Sequence, residues 1–212
     1  MGREIELKLP LSDQQYDFVR SVITGAVQAE AVNVCSDCER LLKSDEYYSR
    51  YTSREESKAA GEPQVIRIRG EVSGAEAGAE AGGESDDMSA SCRFYFCIKR
   101  KSIENGIELN REDETLVENP EVIRDILNIS GYHKFFEKKK DALSVYCTSD
   151  KLPDLHFHLE LEIVNHLKYI EVEVTEEDCP ADKVRQSLEV FISLFGLNAQ
   201  NRDSRSWMEI LS

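Results

Sequence analysis

From Glu4 to Lys8 the chain alternates charged and apolar residues without a break, Glu4-Ile5-Glu6-Leu7-Lys8. A strand turns successive side chains to opposite faces, so Glu4, Glu6 and Lys8 share one face while Ile5, Leu7 and Leu9 share the other. Two carboxylates about 7 Å apart on one face repel each other unless a cation lies between them. The lysine beside them invites an anion. An exposed edge strand, charged to resist aggregation, would carry the same letters. The pattern is not confined to one segment, however. Tyr169-Ile170-Glu171-Val172-Glu173-Val174 repeats it with two more carboxylates, whereas Ile66-Arg67-Ile68-Arg69 and Cys97-Ile98-Lys99-Arg100-Lys101 place cations at the same spacing. A solvated surface does not require charge to be sorted by sign along four strands.

A closed or nearly closed antiparallel barrel with a polar interior accounts for this sorting better than a sandwich. Its charged faces line a water-filled tunnel and its apolar faces pack outward against helices. Acidic residues inside would hold divalent cations, and basic residues a polyanion. The ligand this implies is a metal-bound chain of phosphates.

These residues resemble the CYTH domain, or triphosphate tunnel metalloenzyme, family, which includes thiamine triphosphatases, inorganic triphosphatases and class IV adenylyl cyclases. Glu4, Glu6 and Lys8 match its N-terminal E-x-E-x-K. Further matches follow in the family's order. Asp45-Glu46-Tyr47-Tyr48 resembles its D-x-Y-Y/F strand, Arg67 and Arg69 its R-x-R, Lys99 the lysine of the next strand, and Arg111-Glu112-Asp113-Glu114 its R-E-x-E. Lys138 to Lys140 resembles its K-x-R, Glu171 and Glu173 its second E-x-E, and Arg205-Ser206-Trp207 its closing K/R-S-Y. The likeness spans the chain apart from one insertion. It implies a β-dominated α+β fold, an eight-stranded antiparallel barrel with flanking helices, formed by residues 1–212 as one domain. It implies Mg²⁺ or Mn²⁺ held by Glu4, Glu6, Glu171, Glu173 and a fifth acid at Glu162, with Glu160 on the same face as the alternative. Lys8, Arg67, Arg69, Lys99, Lys138, Lys140 and Arg205 would surround the phosphates, with Glu112 and Glu114 among the substrate-binding positions. Lys8, Arg67 and Lys99 would act on the reacting group.

Two departures bear on this. Lys140 stands where the family usually has arginine, so a point charge replaces a bidentate guanidinium. Trp207 stands where tyrosine is common, which removes a hydroxyl and keeps a large ring. The resemblance implies the grip on a triphosphate and leaves the nucleophile open. Water attacking the terminal phosphorus gives a triphosphatase, the leading expectation because it requires no base or sugar pocket. A ribose 3′-hydroxyl attacking the α-phosphorus gives an adenylyl cyclase. A non-catalytic polyphosphate- or nucleotide-binding module is a third reading, disfavoured because both E-x-E pairs are intact.

With 26 Lys and Arg against 41 Asp and Glu, the chain carries a formal charge of −15. Nucleic acid and anionic membranes demand a basic surface, so neither is an expected partner; a small triphosphate or nucleotide is, for a monomer or homodimer. No apolar run approaches the roughly 20 residues that span a bilayer, and no signal peptide precedes the first strand, so a cytoplasmic protein is expected. The six cysteines lack the dense spacing of a secreted disulfide framework. Cys35-Ser36-Asp37-Cys38 has no second pair or neighbouring histidine to complete a zinc site and reads as two unpaired thiols. His156 and His158 share one strand face, as metal ligands or as a pair at the tunnel mouth.

Around these strands the sequence predicts helices over Leu11 to Ile23 with Ser12 as cap, over Pro120 to Ile129 with Asn119 as cap and Gly131 as stop, and over Ala181 to Phe195 ending at Gly196. A hairpin is expected within Ala31 to Tyr51, and a polar turn at Glu62-Pro63. Gly70 to Ala90 is rich in Gly, Ala, Glu, Ser and Asp, which predicts a disordered acidic loop, or more pointedly a lid over the tunnel.

Overall fold

The computed structural model describes residues 2–62, 65–74, 92–104, 107–174 and 181–211. Nine strands form one antiparallel sheet: Gly2–Pro10 (β1), Asn33–Val34 (β2), Glu39–Ser49 (β3), Val65–Ser73 (β4), Cys92–Glu104 (β5), Ile107–Val117 (β6), His133–Ser149 (β7), Leu152–Val164 (β8) and Leu167–Val174 (β9). Their order is β2-β7-β3-β4-β5-β6-β1-β9-β8, and β8 pairs in turn with β7. That last pairing closes eight strands into a barrel, with β2 added outside the ring. Among the described residues, five α-helices accompany it: Asp13–Ile23 (α1), Arg54–Ala59 (α2), Pro120–Ile129 (α3), Ala181–Ser193 (α4) and Trp207–Ile210 (α5). Among the described residues, no helix is long and apolar enough to cross a membrane.

Closure lets the period-2 alternation work. Across β1 and β9, Lys8 faces Glu171 and Glu6 faces Glu173; across β3 and β4, Asp45 faces Arg69; across β5 and β6, Lys99 faces Glu112. The charged faces thus meet inside the ring and the apolar faces point out of it. The main core consequently lies outside the barrel. Ile5, Leu7 and Leu9 of β1 pack with Val19, Val22 and Ile23 of α1 and with Val184, Leu188, Phe191 and Ile192 of α4, all buried. Phe157 of β8 stacks on Phe191 with ring centroids 3.9 Å apart and planes 7° from parallel. A smaller cluster joins Tyr48 and Ile68 to Leu127 of α3.

The helix signals are realised locally. Ser12 and Gln15 form a reciprocal capping box at the start of α1. Asn119 caps α3, Pro120 occupies its first turn, and Gly131 beyond its end takes φ +82°, which glycine adopts without strain.

Two expectations change. Residues 31–51 form no hairpin: β3 has both edges taken, by β4 and β7, so the two-residue β2 pairs instead with β7, Asn33 opposite Thr148. The polar turn expected at Glu62-Pro63 reaches outside the described residues, which break off at Glu62 and resume at Val65; upstream of it lies α2, capped by the Ser53 side chain on the Glu56 amide. Gly70 to Ser73 belong to β4, where the glycine makes room for the Phe94 ring, 3.2 Å from where a Cβ would stand. The rest of the expected acidic loop, residues 75–90, lies outside the described residues.

Phe191→Ala should cost about 3–5 kcal/mol, because it removes a stacked aromatic from the seam between α4 and the barrel. Urea unfolding followed by circular dichroism measures this. A loss under about 1 kcal/mol would show that α4 does not hold the barrel through that ring.

Candidate active site

The barrel encloses a cavity of about 490 Å³, with a wall contributed by every strand of the ring and an end formed by α2 and α5. Nine Lys or Arg and eight Glu line it. In a chain of net charge −15, this near balance means that positive charge is concentrated in the lumen and the acidic excess lies elsewhere.

The carboxylates fall into two groups. In the first, Glu6 and Glu173 are cross-strand partners, and Glu4 and Glu112 stand beside them. Asn110 donates its amide to Glu6 at 3.0 Å, and the Lys99 ammonium lies 2.5 Å from Glu112 and 3.9 Å from Glu6. Glu173 accepts from His158 Nδ1 at 2.8 Å, while His158 Nε2 lies 2.8 Å from the Ser144 hydroxyl, which donates to it in that tautomer. Glu4 takes no hydrogen bond or ion pair from any described residue. Burial, then the charges of Glu112 and Glu173, push its carboxyl up to about 7. A wall of carboxylate oxygens with too few cations fits a hard divalent ion such as Mg²⁺ or Mn²⁺.

The second group comprises Glu160, Glu162 and Glu171, each offering an oxygen within 4.8 Å of the others. Lys140 reaches all three, Lys43 pairs with Glu160, and Trp207 Nε1 donates to Glu171 at 3.0 Å. Burial would raise Glu160 and Glu171, but Lys140 and its neighbours outweigh it and hold both below the usual carboxylate range. Glu162 is fully buried and absent from the cavity wall. Burial followed by the charge of Glu171 pushes it up to about 8.

Most cations are held by acids. Arg69 makes a two-point contact with Asp45 at 2.6 and 3.0 Å, and Lys138 lies 3.7 Å from the same carboxylate. Burial alone would raise Asp45; Arg69 and Arg67 keep it well below its ordinary value. Arg67 donates through Nη2 to Glu112 at 3.1 Å and Glu114 at 3.2 Å, leaving its buried Nε without a hydrogen-bond partner. Lys138 is pushed down to about 8 by burial and by Lys140. Lys8 donates to the Arg205 carbonyl at 2.7 Å, and both Lys8 and Lys138 sit over the Trp207 ring, 5.2 and 5.0 Å from its centroid. These contacts anchor α5 across one end of the lumen.

Of the residues singled out from sequence, Glu4, Glu6, Lys8, Arg67, Arg69, Lys99, Glu112, Glu114, Lys138, Lys140, Glu171 and Glu173 line the cavity, as does Glu160. Arg205 does not: its side chain is 60% exposed and pairs with Asp203. Only His158 of the histidine pair reaches the lumen; His156 is exposed. Cys35 is exposed and Cys38 half-buried, and among the described residues neither joins a metal-ligating group. Sequence reasoning passed over Lys43, which with Asp45 and Tyr47 forms one face of β3, and Asn110. The alternation Lys43-Ser44-Asp45-Glu46-Tyr47 carried that signal.

No family model and no curated protein matches the chain. Solved structures do. The PH1819 protein of Pyrococcus horikoshii OT3 is 16% identical, with 98% of this chain and 97% of that one covered and a TM-score of 0.66. A "putative adenylate cyclase" of Vibrio parahaemolyticus is 18% identical, covering 98% and 97%, with a TM-score of 0.60. A "putative adenylyl cyclase" of Hippeastrum, for which a dominant triphosphatase activity is described, is 14% identical, covering 99% and 94%, with a TM-score of 0.58. The chain has the fold of these proteins. At such identities the likeness establishes architecture, which is the tunnel barrel that the sequence resemblance implied.

Glu4 titrates near 7 in the folded chain against about 4.3 in an unfolded one. A raised folded pKa favours folding below the unfolded value, and that contribution is lost as pH rises through the folded one. In the absence of metal, Glu4→Gln should therefore change the Tm little near pH 5 and raise it at pH 8, where the native residue is ionised beside Glu112 and Glu173. Thermal unfolding with a chelator at both pH values tests this; an equal shift at both would show that Glu4 is not perturbed by its neighbours.

Proposed function

We propose that this chain is a divalent-metal-dependent phosphohydrolase that takes a small triphosphate into the barrel lumen. The observation that carries the reading is the pairing of opposite deficits in one cavity: a carboxylate with no partner at Glu4, and a buried guanidinium nitrogen with no partner at Arg67 Nε. A metal–triphosphate complex supplies a cation to the first and a hydrogen-bond acceptor to the second. Glu4, Glu6 and Glu173 would hold the ion, Asn110 steadying Glu6 and His158 steadying Glu173 by their hydrogen bonds. The ion would supply Lewis-acid polarisation of a phosphoryl oxygen.

The chain's own residues do the rest. Arg67, Arg69 and Lys138 present charge-assisted donors to the phosphate oxygens, and the Arg67 guanidinium can take two oxygens in one plane. Lys99, next to the acidic wall, neutralises charge gathering on the scissile group as it separates. Trp207 and α5 close one end and limit water. Hydrolysis is favoured over cyclisation of a nucleotide because it asks for no base pocket, and the large Trp207 ring at the end of the lumen is already engaged by two ammonium groups.

Purified chain incubated with Mg²⁺ or Mn²⁺ should release phosphate from tripolyphosphate, ATP or thiamine triphosphate, with cyclic nucleotide followed in the same samples. Arg67→Ala should lower kcat/KM about 10²–10³-fold, and Glu4→Gln and Glu173→Gln should abolish turnover while the circular dichroism spectrum is unchanged. Cyclic AMP as the main product would overturn hydrolysis. Tight triphosphate binding without either product would leave a binding module.

A further inference from the structure

Glu160, Glu162 and Glu171 bring three carboxylate oxygens as close together as a bound divalent ion requires, all within 4.8 Å of one another. Lys140 already stands among them. Its Nζ is 2.7 Å from Glu160, 2.8 Å from Glu162 and 3.5 Å from Glu171, and its side chain is 3% exposed. An ammonium has three donors and no acceptor. Two of those donors go to Glu160 and Glu171, and the Glu162 carboxyl lies 2.8 Å away, so the ammonium is turned toward three acids and not toward a phosphate oxygen.

Glu162 points the same way independently. It is 0% exposed, and neither of its oxygens has a hydrogen-bond partner. A buried acid without hydrogen bonds stays neutral unless a cation lies beside it, and the Lys140 ammonium 2.8 Å away is the cation placed there. Residue type matters here. A compact ammonium resembles a small ion in size and in demanding oxygens on several sides, whereas the planar guanidinium that the resemblance leads one to expect at this position would reach two oxygens in one plane. The substitution of lysine for arginine, unexplained by a weaker phosphate grip alone, suits a residue that serves the acids.

We propose that the Lys140 ammonium occupies a second cation position formed by Glu160, Glu162 and Glu171, so that the tunnel takes one divalent ion, at Glu4, Glu6 and Glu173, and Lys140 is not a phosphate contact. This rests on the metal-dependent reading of the cavity and specifies its ion count. Lys140 then differs in kind from Lys138, two residues away on the same face, which has no such cage, its contact with Asp45 being 3.7 Å, and meets the substrate in the proposed reading.

The test is Mn²⁺ binding to the full chain without substrate, by equilibrium dialysis with free Mn²⁺ read from its paramagnetic resonance. Wild type should bind one ion, Glu6→Gln none, and Lys140→Met two. Glu162→Gln should keep the single ion, because Glu162 serves the ammonium; a ligand's loss would weaken it about 10–100-fold. Two ions on wild type, a folded Lys140→Met that binds no more than wild type, or a 10–100-fold loss in Glu162→Gln would each overturn the proposal. Should Lys140→Met require metal to fold, a rise in its Tm with Mn²⁺ larger than that of wild type reports the same new site, and no such rise overturns it. No ion on wild type but one on Lys140→Met would sink the metal-dependent triphosphatase while keeping the lysine in its cage, so the two readings fail separately.

Discussion

Everything in this barrel follows from the need to neutralise charge inside a closed wall. An isolated carboxylate or ammonium in a lumen of this kind would cost several kcal/mol in lost hydration. The strand register offsets that cost seam by seam: Lys8 opposite Glu171, Asp45 opposite both Arg69 and Lys138, Lys99 opposite Glu112. A one-residue slip of any strand would send its charges outward and its apolar side chains into the lumen. Register is thus fixed by electrostatics and by the hydrophobic effect together.

The same constraint turns the usual architecture inside out. Because the lumen is polar, the apolar faces of β1, β8 and β9 need cover from outside, and α1 and α4 provide it. The stability of the fold resides largely in that outer layer, and the proposed function in the inner one. Substitutions that reshape the lumen without creating an unpaired charge leave the helix-backed core untouched. This separation lets Glu4 remain uncomfortable: a carboxylate pushed up by its neighbours is tolerated by a core built elsewhere, as expected where a site is organised for a ligand.

The sequence showed this division wherever charge and apolarity alternate without interruption. β1, β4, β5 and β9 were legible from period-2 sorting, and α1 and α3 from their caps, because those signals are local. What failed was non-local. The pairing of β2 depends on which edge of which strand is vacant, and no pattern in Asn33-Val34 encodes that. Arg205 bears a charge in a family-like string, yet Asp203 two residues earlier captures its guanidinium, and only its backbone carbonyl serves the tunnel through Lys8. Lys43 stands outside the family-like Asp45-Glu46-Tyr47-Tyr48 string, although the same alternation includes it. The two carboxylate groups could not be separated from sequence, since Glu162 and Glu171 meet only when β8 and β9 are placed around the ring.

The near balance of charge in the lumen explains why a cation should accompany any polyanion there. Nine basic and eight acidic side chains line the cavity, and most of the basic ones are already held by acids. A triphosphate arriving alone would have to compete with Glu112 and Glu114 for Arg67 and with Asp45 for Arg69, leaving the buried Asp45 with less positive charge beside it. A divalent ion entering with it brings positive charge to the acidic wall and so releases Lys99 and Arg67 from their partners toward the phosphates. Under the proposed function the carboxylates would serve two purposes in sequence: holding the cations in position while the lumen is empty, and taking a metal ion when it is filled. A dependence on metal would then follow from how the empty barrel is kept folded.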